Sequence, residues 1–360
     1  MNVLFMFSSP SSSYDACAHN LSLLKDGLEE FGVQTDIFYL GDSLFKRPHL
    51  IQPLNIPFFL DLMRNHEITI GWDTSASYVA GIANTLVNSR IVFCVRGIPI
   101  EQVCLTRANP LSLKGNYLIF QSMITEKIAM KYSDYLVTCS EPLRQYYIHK
   151  GVDQKRVKTI RNGVDTELFK PKEERRDNEH FTVMYAGAFQ KWQGIDNLIL
   201  AAKLLDADNI RFKIVGFTNR DLVFKKKTER MLGDKAELIE RLPQTELVDQ
   251  INSSDVCVIP RSDVLPAEVA FPTKFAEYIA VGKPVIVTKV GEISDYVKKY
   301  DCGFVCEPTV ESIANTIRKA KDTPPEILLK MGMNGRQLAE TEFDQRKISK
   351  QYFDFLSEIV

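Results

Sequence analysis

An excess of charge of either sign is missing from this sequence: 45 Lys and Arg stand against 46 Asp and Glu, a net charge of -1. That balance argues against a general nucleic-acid binder, whose phosphate contacts show as a basic excess. Cysteine pairing is missing too. The seven cysteines, Cys17, Cys94, Cys104, Cys139, Cys257, Cys302 and Cys306, are odd in number and mostly sit inside apolar runs. They read as small buried hydrophobes of a reducing compartment. Only Cys302 and Cys306 lie close together, and the five histidines are scattered, so no metal site is expected. No window reaches the apolar length of a spanning helix. The start, MNVLFMFSSP, lacks the basic region and the long apolar core of a signal peptide. The expected location is the cytoplasm, with any membrane contact peripheral and from the inner face. No GxGxxG follows the first strand-like run, which removes a dehydrogenase reading.

What is present is an alternation of short apolar runs with helical patterns. Runs at Val3–Phe7, Gln34–Leu40, Glu67–Trp72, Arg90–Arg96 and Tyr135–Ser140, with a weaker one at Val157–Arg161, are separated by segments such as Asp15–Phe31, where Leu21, Leu24 and Leu28 keep helix spacing. From Asn162 to His180 the pattern breaks at an Asn-Gly turn and a charged stretch, which reads as a linker. It resumes with Thr182–Ala186, Ile210–Val215, Glu237–Arg241, Val256–Pro260, Pro284–Val287 and Gly303–Cys306. The stretch from Pro324 to Val360 is expected to be helical throughout. The fold class is therefore α/β, two Rossmann-like doubly wound parallel-sheet domains facing across a cleft. Their expected limits are 1–162 and 163–342, with a carboxyl-terminal helix of about 343–360 packing back on the first. Parallel sheets bind ligands at the carboxyl ends of their strands, which points to Ser8–Ser13, Trp72-Asp73-Thr74 and Arg96-Gly97.

The stretch PAEVAFPTKFAEYIAVGKPVIVT, residues 266–288, carries the densest signal. A short helix opened by Pro272 places Lys274 in its first turn, where the helix dipole disfavours a cation, and Glu277 on the same face. Helix starts bind anions, so a phosphate would neutralise both dipole and lysine; the other reading is a lysine stem lying along an ordinary surface helix.

Arg161-Asn162-Gly163-Val164-Asp165 with Phe169-Lys170-Pro171, the strand ending in Gly187 with Gly194 ahead of a helix, Pro272-Thr273-Lys274 with Glu277, and Gly282-Lys283-Pro284-Val285-Ile286 together resemble glycosyltransferase family 4 of the GT-B superfamily. The likeness covers the second half closely. It covers the first half by topology and by phrases such as Ser133-Asp134 to Ser140-Glu141. The resemblance implies a retaining hexosyltransferase that takes a sugar from a nucleotide-sugar, a UDP- or GDP-sugar, without metal or other cofactor. It implies a saccharide or lipid-linked acceptor received by the first domain, where Ser9, Ser11 and Asp73 are the candidates. Lys274 would stabilise the leaving diphosphate. Gly187 and Thr273 would border the donor, Glu277 would accept hydrogen bonds from ribose, and Arg241 with Leu242 would line the base pocket.

The chain departs from the family pattern at three places. The first glutamate of the family's pair falls on Val269, so Glu268 contacts the transferred sugar only if the loop slips by one residue. In GAFQKWQG, Ala188 and Gln193 stand where many relatives have arginine and lysine, and Lys191 either supplies the missing charge or is a solvated loop lysine. Where many relatives have His-Gly after the fourth strand, this chain has Arg96-Gly97. Arg96 either holds a phosphate or acidic acceptor or pairs with Glu101 or another acid, and the end of a central strand favours the former. Asp206-Ala207-Asp208 reads as a turn and not a metal site. The stretch 45–63 is too broken by prolines for one amphipathic helix and is expected to be an apolar loop, a candidate for lipid contact. A nucleotide-sugar epimerase or a phosphorylase of the same superfamily, and a non-catalytic two-domain solute-binding protein, are the alternatives.

Overall fold

A computed structural model describes residues 1–9, 16–40, 56–98, 112–172, 180–205 and 209–360. Two compact units account for them: residues 1–163 with 269–271 and 345–360, and residues 164–268 with 272–344.

The first unit holds six parallel strands, β1 (Asn2–Phe7), β2 (Gln34–Tyr39), β3 (Ile68–Gly71), β4 (Arg90–Val95), β5 (Tyr135–Thr138) and β6 (Val157–Thr159), in the order β2-β1-β3-β4-β5-β6. A strand covered on both faces must be apolar at every position. β1 is so built: Val3, Phe5 and Phe7 join one core and Leu4 and Met6 the other. The first core is closed by the helix Ala16–Glu29 through Leu21, Leu24 and Leu28, and by the last helix, Gln345–Ile359, through Ile348, Tyr352, Phe355 and Leu356. Each such side chain contributes about 1.5–3 kcal/mol on burial. The two helices touch at Gly27, where a Cβ would fall 2.1 Å from the Ser349 hydroxyl, so glycine sets their approach. The second core takes Phe59, Leu60 and Met63 of the helix Ile56–Arg64.

The second unit repeats the plan with β7 (Phe181–Ala186), β8 (Ile210–Phe217), β9 (Ala236–Glu240), β10 (Val256–Ile259), β11 (Val285–Thr288) and β12 (Gly303–Cys306), ordered β12-β11-β10-β7-β8-β9. Read from the other edge this is the 3-2-1-4-5-6 order of dinucleotide-binding sheets, whose chain reversal falls between β7 and β10. In the first unit the reversal falls between β1 and β3. Among the described residues, no helix is long and apolar enough to cross a membrane. The five described cysteines whose side chains are placed are buried thiols outside any disulfide.

Three expectations need correcting. The stretch 162–180 is no simple linker, because residues 164–172 belong to the second unit. Asp165 accepts the amides of Glu167 and Leu168, at 2.9 and 3.0 Å, and closes a turn that buries Phe169. Arg336 donates to the carbonyls of Thr166, Phe169 and Ala280 at 3.0, 2.7 and 2.8 Å. Asn252 holds Lys170 and Lys172 by their backbones. The carboxyl-terminal stretch is helical as expected but not in one run: Pro325–Leu338 continues into a π-helix, Ala339–Phe343, and Asp344 interrupts the chain before the last helix. Within 45–63 the described part, from Ile56, is helical with Pro57 in its first turn, where a missing N–H costs nothing. Residues 206–208 lie outside the described residues.

Candidate active site

The site is assembled in the second unit at the carboxyl ends of β7 and β10. β7 ends in Gly187, whose φ of +144° suits glycine alone and whose amide donates to Val215 at 3.0 Å. Gly216, on β8, lies so close that a Cβ there would sit 2.4 Å from the Gly187 carbonyl. Beyond Gly187 the loop is fastened at both ends. Tyr185 donates to the Ala188 carbonyl at 2.7 Å, and Phe189 stacks on Phe217 at 4.2 Å between ring centres. At the far end Gly194, at φ +71°, starts the helix Ile195–Leu204 and lies against β10: a Cβ there would be 1.7 Å from the Pro260 carbonyl. The Ser262 amide and hydroxyl donate back to the carbonyls of Trp192 and Lys191.

Against this loop stands the helix Thr273–Ala280, with Pro272 before it and no side-chain cap. Tyr278 anchors it to the last residue of β7, accepting the Ala186 amide at 2.7 Å and donating to the Ala186 carbonyl at 3.3 Å. The anchor puts Lys274 over the loop. Its ammonium donates to Gln193 Oε1 at 3.1 Å and lies 4.3 Å from the centre of the Tyr185 ring. It is also so near Gly187 that a Cβ there would meet Nζ at 2.5 Å. Gly187→Ala is therefore expected to displace the amine and strain the turn by about 1–3 kcal/mol. Calorimetry with a nucleoside diphosphate should read at least about a tenfold loss of affinity.

Electrostatics distinguish this place from a structural lysine site. Burial, reinforced by the Arg261 guanidinium and opposed by Glu277, brings the Lys274 amine down to about 7. Burial, opposed by Lys274, pushes the Glu277 carboxyl up to about 7. Arg261, at the end of β10, is only 1 % exposed and sits 5.3 Å from the centre of the Trp192 ring. Two buried basic groups that repel each other thus stand with one carboxylate at the carboxyl ends of β7 and β10, a cluster of mutually perturbed charges of the kind found at functional sites.

The sequence reading missed Arg261. Its signal was available, an arginine immediately after the apolar run of β10, but only the pairing of β10 with β7 carries it to Lys274. Lys191 does not supply the missing buried charge, because its side chain is exposed on the outer turn of the loop. Arg241 is exposed and Leu242 half-buried at the end of β9, two strands from β7, or about 10 Å away. Glu268 Oε2 accepts the Gly291 amide at 2.8 Å in the turn before the helix Ile293–Tyr300. Val269, the position of the absent glutamate, is buried, and its carbonyl accepts the Ser140 hydroxyl.

In the first unit Asp73 serves three backbone amides, those of Ser8, Ser75 and Ala76, at 2.8, 2.8 and 3.0 Å. It thereby caps the helix Thr74–Ala83 and fixes the end of β1, and burial raises its carboxyl above the usual range. Ser9 follows directly; Ser11 lies outside the described residues. Arg96 stacks 3.8 Å from the centre of the Trp72 ring and donates to Asn162 Oδ1, while Asn162 Nδ2 donates to the Phe271 carbonyl at 3.1 Å. Among the described residues, no group of three or more His, Cys, Asp or Glu is placed to hold a metal ion.

Two parallel Rossmann-type sheets of this order and connection define a GT-B fold. Over all of this chain and 99% of its own, sucrose-phosphate synthase from Thermosynechococcus elongatus superposes with a TM-score of 0.80 at 16% identity. Anabaena HepE in complex with UDP-glucose superposes with a TM-score of 0.78 at 18% identity, over 99% of this chain and 100% of its own. Residues 166–338 match the family model described as glycosyl transferases group 1. D-inositol 3-phosphate glycosyltransferase 1 of Catenulispora acidiphila is 28% identical over 199 residues, 49% of this chain and 46% of the relative. The chain spans about half the length of the curated relatives it matches.

Proposed function

We propose that the protein is a retaining, metal-independent glycosyltransferase of the cytoplasm that moves a sugar from a UDP- or GDP-sugar to a saccharide or lipid-linked acceptor, working peripherally at the inner face of the membrane. The observation that carries this reading is the buried pair Lys274 and Arg261 beside Gly187. A leaving diphosphate develops negative charge as the glycosidic bond breaks, and preorganised cations in a dry site stabilise that charge most effectively. Gly187, without a side chain, leaves room for a phosphate against the backbone. Glu277, one helical turn below Lys274, accepts the ribose hydroxyls as a carboxylate. The acceptor hydroxyl then attacks the oxocarbenium-like carbon from the face the diphosphate leaves, and its proton passes to the departing diphosphate. Arg96, Ser9 and Asp73 mark the strand ends of the first unit that would receive the acceptor. The UDP-glucose complex of HepE, a structure of the same fold, supports the nucleotide-sugar donor.

A thermal-shift panel of UDP, GDP and ADP and their sugar conjugates tests this, since a ligand at a hundred times its Kd stabilises by about 2.7 kcal/mol, a rise of a few degrees. One base is expected to shift the melting temperature, and no shift with any member would overturn the reading. The pH dependence of that affinity has a defined sign. Diphosphate binding requires charged Lys274, so affinity falls as pH rises above about 7, where the free lysine loses its proton. Ribose binding requires ionised Glu277, so affinity also falls as pH drops below about 7. Calorimetry should give a bell centred near 7, and Glu277→Gln should remove its acid limb.

A further inference from the structure

For three residues the chain leaves the second unit, just ahead of the helix that carries Lys274. Val269–Phe271 belong to the first unit, while Glu268 before them and Pro272 after them belong to the second. Two buried side chains of the first unit hold this excursion by its backbone. Ser140, which caps the helix Glu141–His149 by accepting the Leu143 amide at 3.1 Å, donates its hydroxyl to the Val269 carbonyl. Asn162, 7% exposed and just beyond β6, donates to the Phe271 carbonyl at 3.1 Å. The other end of the same amide, Oδ1, accepts from Arg96 at the end of β4. A primary amide has one acceptor end and one donor end, so these two bonds fix a single orientation of the Asn162 side chain. Buried polar networks stiffen what they join when their members are paired.

Covalent continuity carries the Phe271 end of this network into the site. Pro272 follows Phe271 directly, with its ring holding φ at -77°, a stiff link into the first turn. The Phe275 amide donates to the Pro272 carbonyl at 3.0 Å and closes the turn that contains Lys274. No side chain caps this helix, so the residues ahead of it set where it begins. We propose that Asn162 is a positioning residue for Lys274. Through the Phe271 carbonyl it sets the start of the helix Thr273–Ala280, and through Arg96 it makes that setting depend on the acceptor strand ends of the first unit. This rests on the roles proposed above for Lys274 and Arg96, but amide exchange is read in the free protein, so the two readings fail separately.

The test is hydrogen exchange over residues 269–276 of the full chain without ligand, read by mass spectrometry. Asn162→Ala should speed exchange there about fivefold, as expected for one lost hydrogen bond, and leave β1 and β7 at the wild-type rate. Arg96→Met, which releases only one end of the amide, should speed it about twofold. In an Asn162→Ala chain Arg96→Met should add nothing, since the link it acts through is gone. Asn162→Asp keeps an acceptor for Arg96 but loses the donor to Phe271, so it should behave as the alanine variant does. It also carries the same comparisons if Asn162→Ala melts too low to measure. With UDP or GDP as titrant, whichever shifts the melting temperature, Asn162→Asp should bind about fivefold more weakly. Wild-type exchange in the Asn162 variants, its restoration by aspartate, or an Arg96→Met effect of equal size with and without Asn162 overturns the proposal. So does faster exchange with unchanged nucleotide affinity, because Asn162 would then hold the loop without positioning Lys274. If the wild type binds no nucleoside diphosphate, the donor reading falls instead, and exchange alone decides the link from Arg96 to Phe271.

Discussion

Lys274→Ala should lower turnover by about 10²–10³-fold while the protein stays folded, the usual loss when one preorganised group aimed at developing charge is removed. The fold should survive because the lysine is held at a cost. Burial and Arg261 both oppose its charge, and its one neutral hydrogen-bond partner is Gln193. In the function proposed above the donor's diphosphate repays that opposition, so the loss should appear in kcat and in nucleoside-diphosphate affinity together. Lys274→Arg should not restore activity, since the planar guanidinium does not fit a point-charge site closed by Gly187 on one side and the Tyr185 ring on the other. Steady-state kinetics with the nucleotide-sugar found in the thermal panel, alongside circular dichroism, check this. A folded Ala variant with near-normal turnover would remove Lys274 from the chemistry.

Arg261→Met should change two quantities in opposite directions. Methionine has similar reach, packs against Trp192 and removes one of two repelling buried cations, and such exchanges are often neutral or stabilising by about 1–4 kcal/mol. The free protein should therefore melt no lower than the wild type, and the alkaline limb of the affinity profile should move upward as Lys274 regains its proton more easily. Donor affinity should nevertheless fall about a hundredfold, because one of the two cations proposed to meet the diphosphate is gone. Differential scanning calorimetry without ligand, paired with titration of the nucleoside diphosphate, reads both. A melting temperature that falls sharply with unchanged affinity would make Arg261 a structural residue.

The two cations also show how far local sequence carries. Lys274 and Glu277 lie one turn apart on one short helix, so a single stretch of residues places them on one face. Glycines at 187 and 194 were visible as the two ends of a strand-to-helix loop, and the structure gives both positive φ. Glu268 shows the opposite case. Its distance from Glu277 in sequence suggests a role at the sugar, and no local pattern shows that the Gly291 amide, 23 residues further on, donates to one of its carboxylate oxygens. Lys191 likewise sat in the right loop but on its outer side.

Periodicity alone was enough for the two sheets, because a strand covered on both faces is apolar along most of its length, as β1, β4, β7 and β10 are. It was enough as well for the Gly187 loop and the Lys274–Glu277 face, which need only neighbours in the chain. Tertiary structure alone decided that Arg261 stands beside Lys274, since that depends on β10 pairing with β7, 73 residues away where Thr182 meets Asp255. It decided also that the 164–172 stretch is clamped by Arg336, up to 170 residues off. Hydrogen bonds and charges act across a few ångströms of space whatever the separation in sequence, and strand order, which sequence patterns leave open, sets which residues come that close.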